Sequence, residues 1–356
     1  MDETLKMTVL SLSLATAKPR AQVARDTALD FTKGILVLFM VLYHWLNYFI
    51  GSQGQYYNYL RFLTPSFIFI TGFMISQVHL QRYGTDNLLL PRRLMLRGLR
   101  LLAVFVALNI LIDLALSNSL IRRFFAGSAL PATLFSIFVT GNITSYEGQK
   151  SSAFNILVPI AYLLIVSAGL TLICRRLKYA FHYACALFIL SIVLLSSQGI
   201  RSLNLDLLMI GVLGVVFGYV RREQIAAVAS HPYVVCAIYC VYLAAITAWD
   251  VTLPVQVTGV VLTTTLIYMA GKSVGGSGII RGQAVLIGKY SLFGYISQIA
   301  ILQVLRRLSW FSRHGVIILV ASLLLGVVLT VIFVDLLDWA RVKSRMVDQA
   351  YQLVFA

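Results

Sequence analysis

Charge is what this sequence has least of. Only 12% of its 356 residues are Asp, Glu, Lys or Arg, about half the share of an ordinary soluble domain. Acidic residues are the scarcer kind, 13 against 29 basic ones, which leaves a formal net charge of +16. There are 7 prolines, 5 histidines and 4 cysteines, too few for a disulfide-stapled or metal-clustered scaffold. The cysteines, Cys174, Cys185, Cys236 and Cys240, lie within or at the edge of apolar segments. Cys236 and Cys240 share a helix face, but no nearby His or carboxylate completes a ligand set. All four read as small core hydrophobes, and no metal is expected.

What fills the chain is hydrocarbon: 59% of the residues are hydrophobic and the mean hydropathy is +0.86. Apolar stretches near the 20 residues or so that span a bilayer as a helix recur from residue 31 almost to the C-terminus. They run without the alternation of a β-barrel strand, so the fold class is all-α, a polytopic transmembrane helix bundle. The spans are expected near 31–50, 59–79, 98–116, 153–174, 179–197, 204–220, 231–249, 252–271, 283–304 and 314–338. A further piece, "LPATLFSIFVTG" at 130–141, is too short to cross easily and has a proline at its second position. It is expected to be re-entrant or interfacial.

Basic loops test that count, because cytoplasmic loops of membrane proteins are rich in Lys and Arg and each added span flips every later loop. Ten spans with the N-terminus inside put four basic loops in the cytoplasm: Arg82, Arg92 and Arg93; Arg175, Arg176 and Lys178; Arg221 and Arg222; Lys272 and Arg281. The end carrying Arg341, Lys343 and Arg345 joins them. Arg122 with Arg123, Arg201, and the loop with Arg306, Arg307 and Arg313 fall outside. The basic excess is thus a topology signal, and no nucleic-acid partner is expected. "MTVLSLSLATA" has the look of a short signal-peptide core, but Asp2 and Glu3 spoil its basic flank. Residues 1–28 read instead as a cytoplasmic tail in which Lys18, Arg20 and Arg25 precede the first span. Residues 29–340 form one membrane domain and 341–356 a cytoplasmic C-terminal tail.

Two constellations carry chemistry. The first span, "LDFTKGILVLFMVLYHW", holds Asp30, Lys33 and His44. Eleven residues return Lys33 and His44 to within about 20° of one helix face, roughly 17 Å apart along the axis. Asn47 and Tyr48 stand at i+3 and i+4 from His44, placed to orient its ring. An interfacial anchor with a core histidine satisfies the same spacing, and periodicity alone does not choose between them. The second constellation is "LLLPRRLMLRGLRLL", in which Arg93, Arg97 and Arg100 repeat at i, i+4 and i+7. Planar guanidinium forks suit phosphate oxygens, although a positive-inside anchor on anionic lipid head groups also fits. "GGSG" at 275–278 lacks the strand-loop-helix setting of a phosphate loop. His79, His182, His231 and His314 fall near span ends, and the segment from about 117 to 153 is the longest connection.

In combination these residues resemble the acyltransferase-3 group of membrane acyltransferases and its relatives. Those relatives are the osmoregulated periplasmic glucan succinyltransferases and the heparan-alpha-glucosaminide N-acetyltransferases. Leu29, Asp30, Lys33, Gly34 and His44 match the opening of the family's first span, with Lys33 where Arg is commoner. "SFIFITGFMIS" is similar to its second-span stretch, and Arg97 with Arg100 fits its Arg-x-x-Arg motif. "GKYSLFGYISQIAIL" looks like its Gly-x-x-Ser segment, with Gln298 where a histidine is expected.

The resemblance implies an enzyme of the bacterial inner membrane. It would move an acetyl, or a succinyl, group from a cytoplasmic acyl-CoA to a hydroxyl or amine of a cell-envelope or exported glycan. His44 would take the acceptor proton or carry the acyl group. Lys33, Arg93, Arg97 and Arg100 would hold the donor, with Asp30 fixing Lys33. The competing class is a transporter of a glycan or lipid-linked substrate, whose path the polar stripe would line.

Overall fold

The structure is a computed structural model, and the residues described are 26–51, 56–80, 89–116, 130–141, 154–173, 177, 179–220, 224, 227–228, 230–273, 278–308 and 315–355. They are helical almost throughout and contain no strand. The helices are α1 (Thr27–Trp45), α2 (Tyr56–Leu60), α3 (Leu63–Met74), α4 (Leu89–Leu116), α5 (Leu130–Phe135), α6 (Leu157–Ile173) and α7 (Ala180–Ser197). They continue with α8 (Leu203–Phe217), α9 (Pro232–Ala248), α10 (Leu253–Ser273), α11 (Ile279–Lys289), α12 (Ser291–Arg307), α13 (Val316–Lys343) and α14 (Arg345–Phe355). Wider π turns extend α1 over Leu46–Ile50, α3 over Ile75–Leu80 and α5 over Ser136–Thr140.

Six helical segments are long and apolar enough to cross a membrane, and a bent pair makes a seventh. Three of the shorter apolar helices, α6, α8 and α9, fall where the remaining expected spans lie. Every one of the ten apolar stretches is therefore a helix. Three boundaries differ from the sequence expectation. The third begins at Leu89 rather than near 98, so Arg92 and Arg93 belong to its helix instead of the loop before it. The ninth is α11 and α12, bent by 94° around Tyr290. Beyond residue 343 the C-terminal tail forms a helix, α14, with Met346, Val347, Tyr351 and Val354 spaced along it.

The short piece at 130–141 is a single helix of about three turns ending in left-handed Gly141. A helix that stops inside an apolar bundle leaves its last carbonyls without partners, and those groups are expensive there. Side chains of neighbouring helices supply them. Asn204 donates to the carbonyls of Ile137 and Phe138, Ser202 to Val139 and Tyr162 to Phe138.

Helix α1 is the hub, packed on α3, α10, α11, α12 and α13. Asp26 caps its start by accepting from the amides of Ala28 and Leu29, and it also accepts from the Tyr268 hydroxyl of α10. At the other end the Trp45 indole donates to Ser322 Oγ of α13 at 2.7 Å. Between them α1 and α11 cross with backbones in contact: a Cβ on Gly34 would run into the carbonyl of Ala284, and one on Gly288 into that of Asp30. Small residues are what let membrane helices approach this closely. Cys185 lies in the core, whereas Cys236 and Cys240 are exposed on α9, so the core-thiol expectation fails for those two. A helix face that meets no neighbour cannot bury what it carries. Residues 1–25, Cys174, His314 and most of 117–153, with the basic residues they hold, lie outside the described residues.

Two outcomes test this packing. Gly34→Leu forces α11 off α1 and should destabilise the solubilised protein by about 1–3 kcal/mol or more, whereas Gly282→Ala, whose Cβ meets open space, should leave the melting temperature level or slightly higher. Asn204→Leu strips the cap from 137 and 138 and should cost about 1–3 kcal/mol, read as a lower melting temperature that Asn204→Gln restores only in part.

Candidate active site

The ionisable groups of α1 sit where the bundle is densest. Asp30 and Lys33 form an ion pair at 2.6 Å, with only 5% and 13% of their side chains exposed. One turn of helix brings the two together, and the α11 crossing at Gly288 covers them. Removing either partner would strand a buried charge, at a cost of about 3–5 kcal/mol. The pair is thus held as a unit.

His44 lies three turns further along, just before α1 widens into its π turn, a distortion that often marks functional positions. Its Nε2 is buried. Aromatic rings surround the imidazole: Tyr48 stacks at 6.1 Å, Tyr43 stands edge-on at 5.2 Å, and Tyr295 of α12 approaches to 6.0 Å. Tyr43 donates to the Tyr57 hydroxyl at 3.3 Å, and Gln303 donates to the Tyr48 hydroxyl at 3.4 Å. The Asn47 side chain comes up to the Tyr43 hydroxyl. Of the two neighbours expected to orient His44, Tyr48 stacks on its ring and Asn47 reaches Tyr43.

Phe154 packs edge-on against Tyr295 at 6.1 Å and adopts φ +58°, a left-handed backbone that a bulky side chain rarely takes. It stands where the long connection re-enters the bundle, so the chain leaving that connection lands one ring away from His44.

The arginine line divides. Arg97 is partly buried and lies against Tyr351 of α14, while Arg93 and Arg100 are exposed. Tyr351 is itself sandwiched, with the Arg341 guanidinium over its ring at 4.0 Å and Tyr290 edge-on at 5.4 Å. Tyr290 donates to Asp338, which also accepts from Lys289 at 2.9 Å, and Arg341 pairs with Asp348. Tyr290 shares one apolar cluster with Val37, Ile287 and Val334. Through that cluster Arg97, Arg341 and Lys289 gather at the same end of the bundle as Lys33, the end opposite His44.

Several of these residues carry no signal in the sequence. Tyr43 and Tyr57 are two of 18 tyrosines, and Tyr351 with Arg341 sits in what reads as a tail. The one pointer to the α14 contact is its spacing, apolar residues at 347, 351 and 354. Gln298 is the other find. Its residue exposure is 0%, and both atoms of its carboxamide are buried without a hydrogen bond.

The arrangement offers an imidazole with a buried Nε2 among tyrosine rings at one level and a group of cations about three turns away. The model of the family described as heparan-alpha-glucosaminide N-acetyltransferase, catalytic, matches residues 25–220, more than half of the chain and the whole of α1 to α8. No curated protein and no solved structure matches the chain. Of the relatives that the motifs resemble, the match falls on the N-acetyltransferases. The chain belongs to the heparan-alpha-glucosaminide N-acetyltransferase catalytic family and is a membrane acetyltransferase.

Proposed function

We propose that the enzyme transfers acetyl from cytoplasmic acetyl-CoA to a hydroxyl or amine of a cell-envelope or exported glycan, in a bacterial inner membrane with both termini in the cytoplasm. The observation that carries this reading is the layout of α1, with a buried Lys33–Asp30 pair at one end and His44 among aromatic rings at the other. A coenzyme A thioester has the same layout, phosphates at one end and a reacting carbonyl at the other. The basic loops favour the Lys33 end as the cytoplasmic one. The motif likeness to the acyltransferase-3 group supports the same donor chemistry, with succinyl as the other acyl group it admits.

In this reading the donor's phosphates meet Arg97 and Lys33, with Arg93 and Arg100 adding a cationic approach from the exposed face. His44, neutral, accepts the acceptor's O–H or N–H proton as that atom attacks the thioester carbonyl. The C–S bond then breaks and coenzyme A leaves as a thiol, taking a proton. Asp30 keeps Lys33 charged and in place. Tyr48, stacked on the ring, holds the imidazole's orientation, and Asn47 supports that wall through Tyr43.

Membranes incubated with labelled acetyl-CoA and separated envelope fractions test the proposal. Wild type should transfer label to a glycan fraction, and His44→Ala should lose transfer by about 10²-fold or more while still binding coenzyme A. Arg97→Ala should raise the KM for acetyl-CoA by about tenfold, the worth of one charge-assisted bond of about 1.4 kcal/mol, and Arg100→Ala by less. Absence of transfer from acetyl and succinyl donors alike to every envelope fraction sinks the reading.

A further inference from the structure

Gln298 sits at the centre of the face that α12 turns to its neighbours. Gly294, one turn before it, faces Val37 of α1 and Val334 of α13. Leu302, one turn after it, packs where Gly326 of α13 and Val41 of α1 meet. Tyr295, also one turn before, touches the His44 ring. The two helices run in the same direction, since Gln303 further along α12 reaches Tyr48 further along α1. Gln298 therefore stands at about the level of Met40 and Val41, past Lys33 and about one turn short of His44.

A carboxamide there is out of place. The positions one turn to either side of it meet Val37, Val334 and Val41, the Thr330 hydroxyl at its level on α13 is committed to the Gly326 carbonyl, and both the amide nitrogen and the oxygen of Gln298 are buried with no hydrogen bond among the described residues. A single orphan atom could reflect a tilted side chain, but an amide with neither end satisfied gives up both of its strongest interactions. Leucine or methionine would fill the same space at no such cost. Proteins keep groups of this kind where a partner arrives from outside.

We propose that Gln298 binds the pantetheine arm of the acyl-coenzyme A donor, its carboxamide pairing with the arm's secondary amide nearest the thioester. This rests on the donor reading above. A secondary amide presents one N–H and one C=O, the complement of the Gln298 Oε1 and Nε2. Two methylenes separate that amide from the sulfur, a reach of about 4 Å, which compares with the one helical turn of about 5.4 Å between the Gln298 level and His44. With the thioester carbonyl at His44, the amide nearest it comes to the level of Gln298, and the phosphates extend toward Lys33 and Arg97. Gln298 lies outside the stretch that the acetyltransferase family matches, so the assignment rests on its burial and its register alone.

The test uses the detergent-solubilised full chain, wild type and Gln298→Met, with three probes: coenzyme A, pantetheine and adenosine 3′,5′-bisphosphate. Gln298→Met should bind coenzyme A and pantetheine at least tenfold more weakly and the nucleotide as wild type does. Without ligand it should melt at the same temperature as wild type or higher, because it removes an unsatisfied polar group, and Gln298→Asn should recover part of the lost affinity. Equal affinity of the methionine variant for pantetheine overturns the assignment, and so does a ligand-free melting temperature several degrees lower, the mark of a structural bond. Failure of wild type to bind coenzyme A at all removes the donor reading itself, a separate result from either of these.

Discussion

An ammonium inside an apolar bundle needs a counter-charge on the spot, and α1 supplies one a single turn away. The Lys33–Asp30 pair at 2.6 Å is the constraint from which the centre of this structure follows. Two charges at this depth are tolerated only if they stay together and nothing wedges them apart. That demands a tight cover, which the glycines at 34 and 288 make possible by letting α11 lie directly on α1. Once α11 is pressed there, the chain must turn through 94° at Tyr290 for α12 to continue alongside α1. That turn delivers Tyr295 to His44 and Gln298 to the interior.

The same turn organises the charged end. Tyr290, fixed at the bend, bonds Asp338 with its hydroxyl and offers its ring to Tyr351, which draws the amphipathic C-terminal helix against α4 beside Arg97. Cations that are far apart in sequence, Lys289 and Arg341, are thereby set around shared aromatic rings, with Arg97 near Tyr351. Lys289 and Arg341 each meet both a ring face and a carboxylate, Asp338 and Asp348 respectively, which fixes them in place.

Much of the fold was legible because a bilayer imposes a length on every apolar run, and all ten runs read from composition are helices. What was not legible depended on side-chain partners. The third span is expected to start near 98 because Arg92 and Arg93 count toward the basic loop before it, yet a helix can carry arginines beyond the hydrocarbon without ending. The bend at Tyr290 leaves no mark in hydropathy, because both arms are apolar enough to read as one span. Cys236 and Cys240 read as core thiols because apolar sequence does not say which face meets protein and which meets lipid. At the site, His44, Lys33 and Asp30 stood out by being rare in their setting. Tyr43, Tyr57 and Tyr351 did not, being common residues whose neighbours appear only when the helices are packed.

The arginine line shows the same limit from the other side. Its i, i+4, i+7 spacing puts Arg93, Arg97 and Arg100 on one stripe of α4, and nothing in that spacing separates them. Tertiary packing does, leaving Arg93 and Arg100 exposed while Arg97 is partly covered near Tyr351. In the proposed function the partly buried Arg97 would hold a donor phosphate and the exposed Arg93 and Arg100 would add charge along the approach to it. The eleven residues from Lys33 to His44, about 17 Å of helix, separate the level of the cations from that of the imidazole. Gln298 is a fully enclosed amide between those two levels, and its place follows from the bend that carries α12 alongside α1.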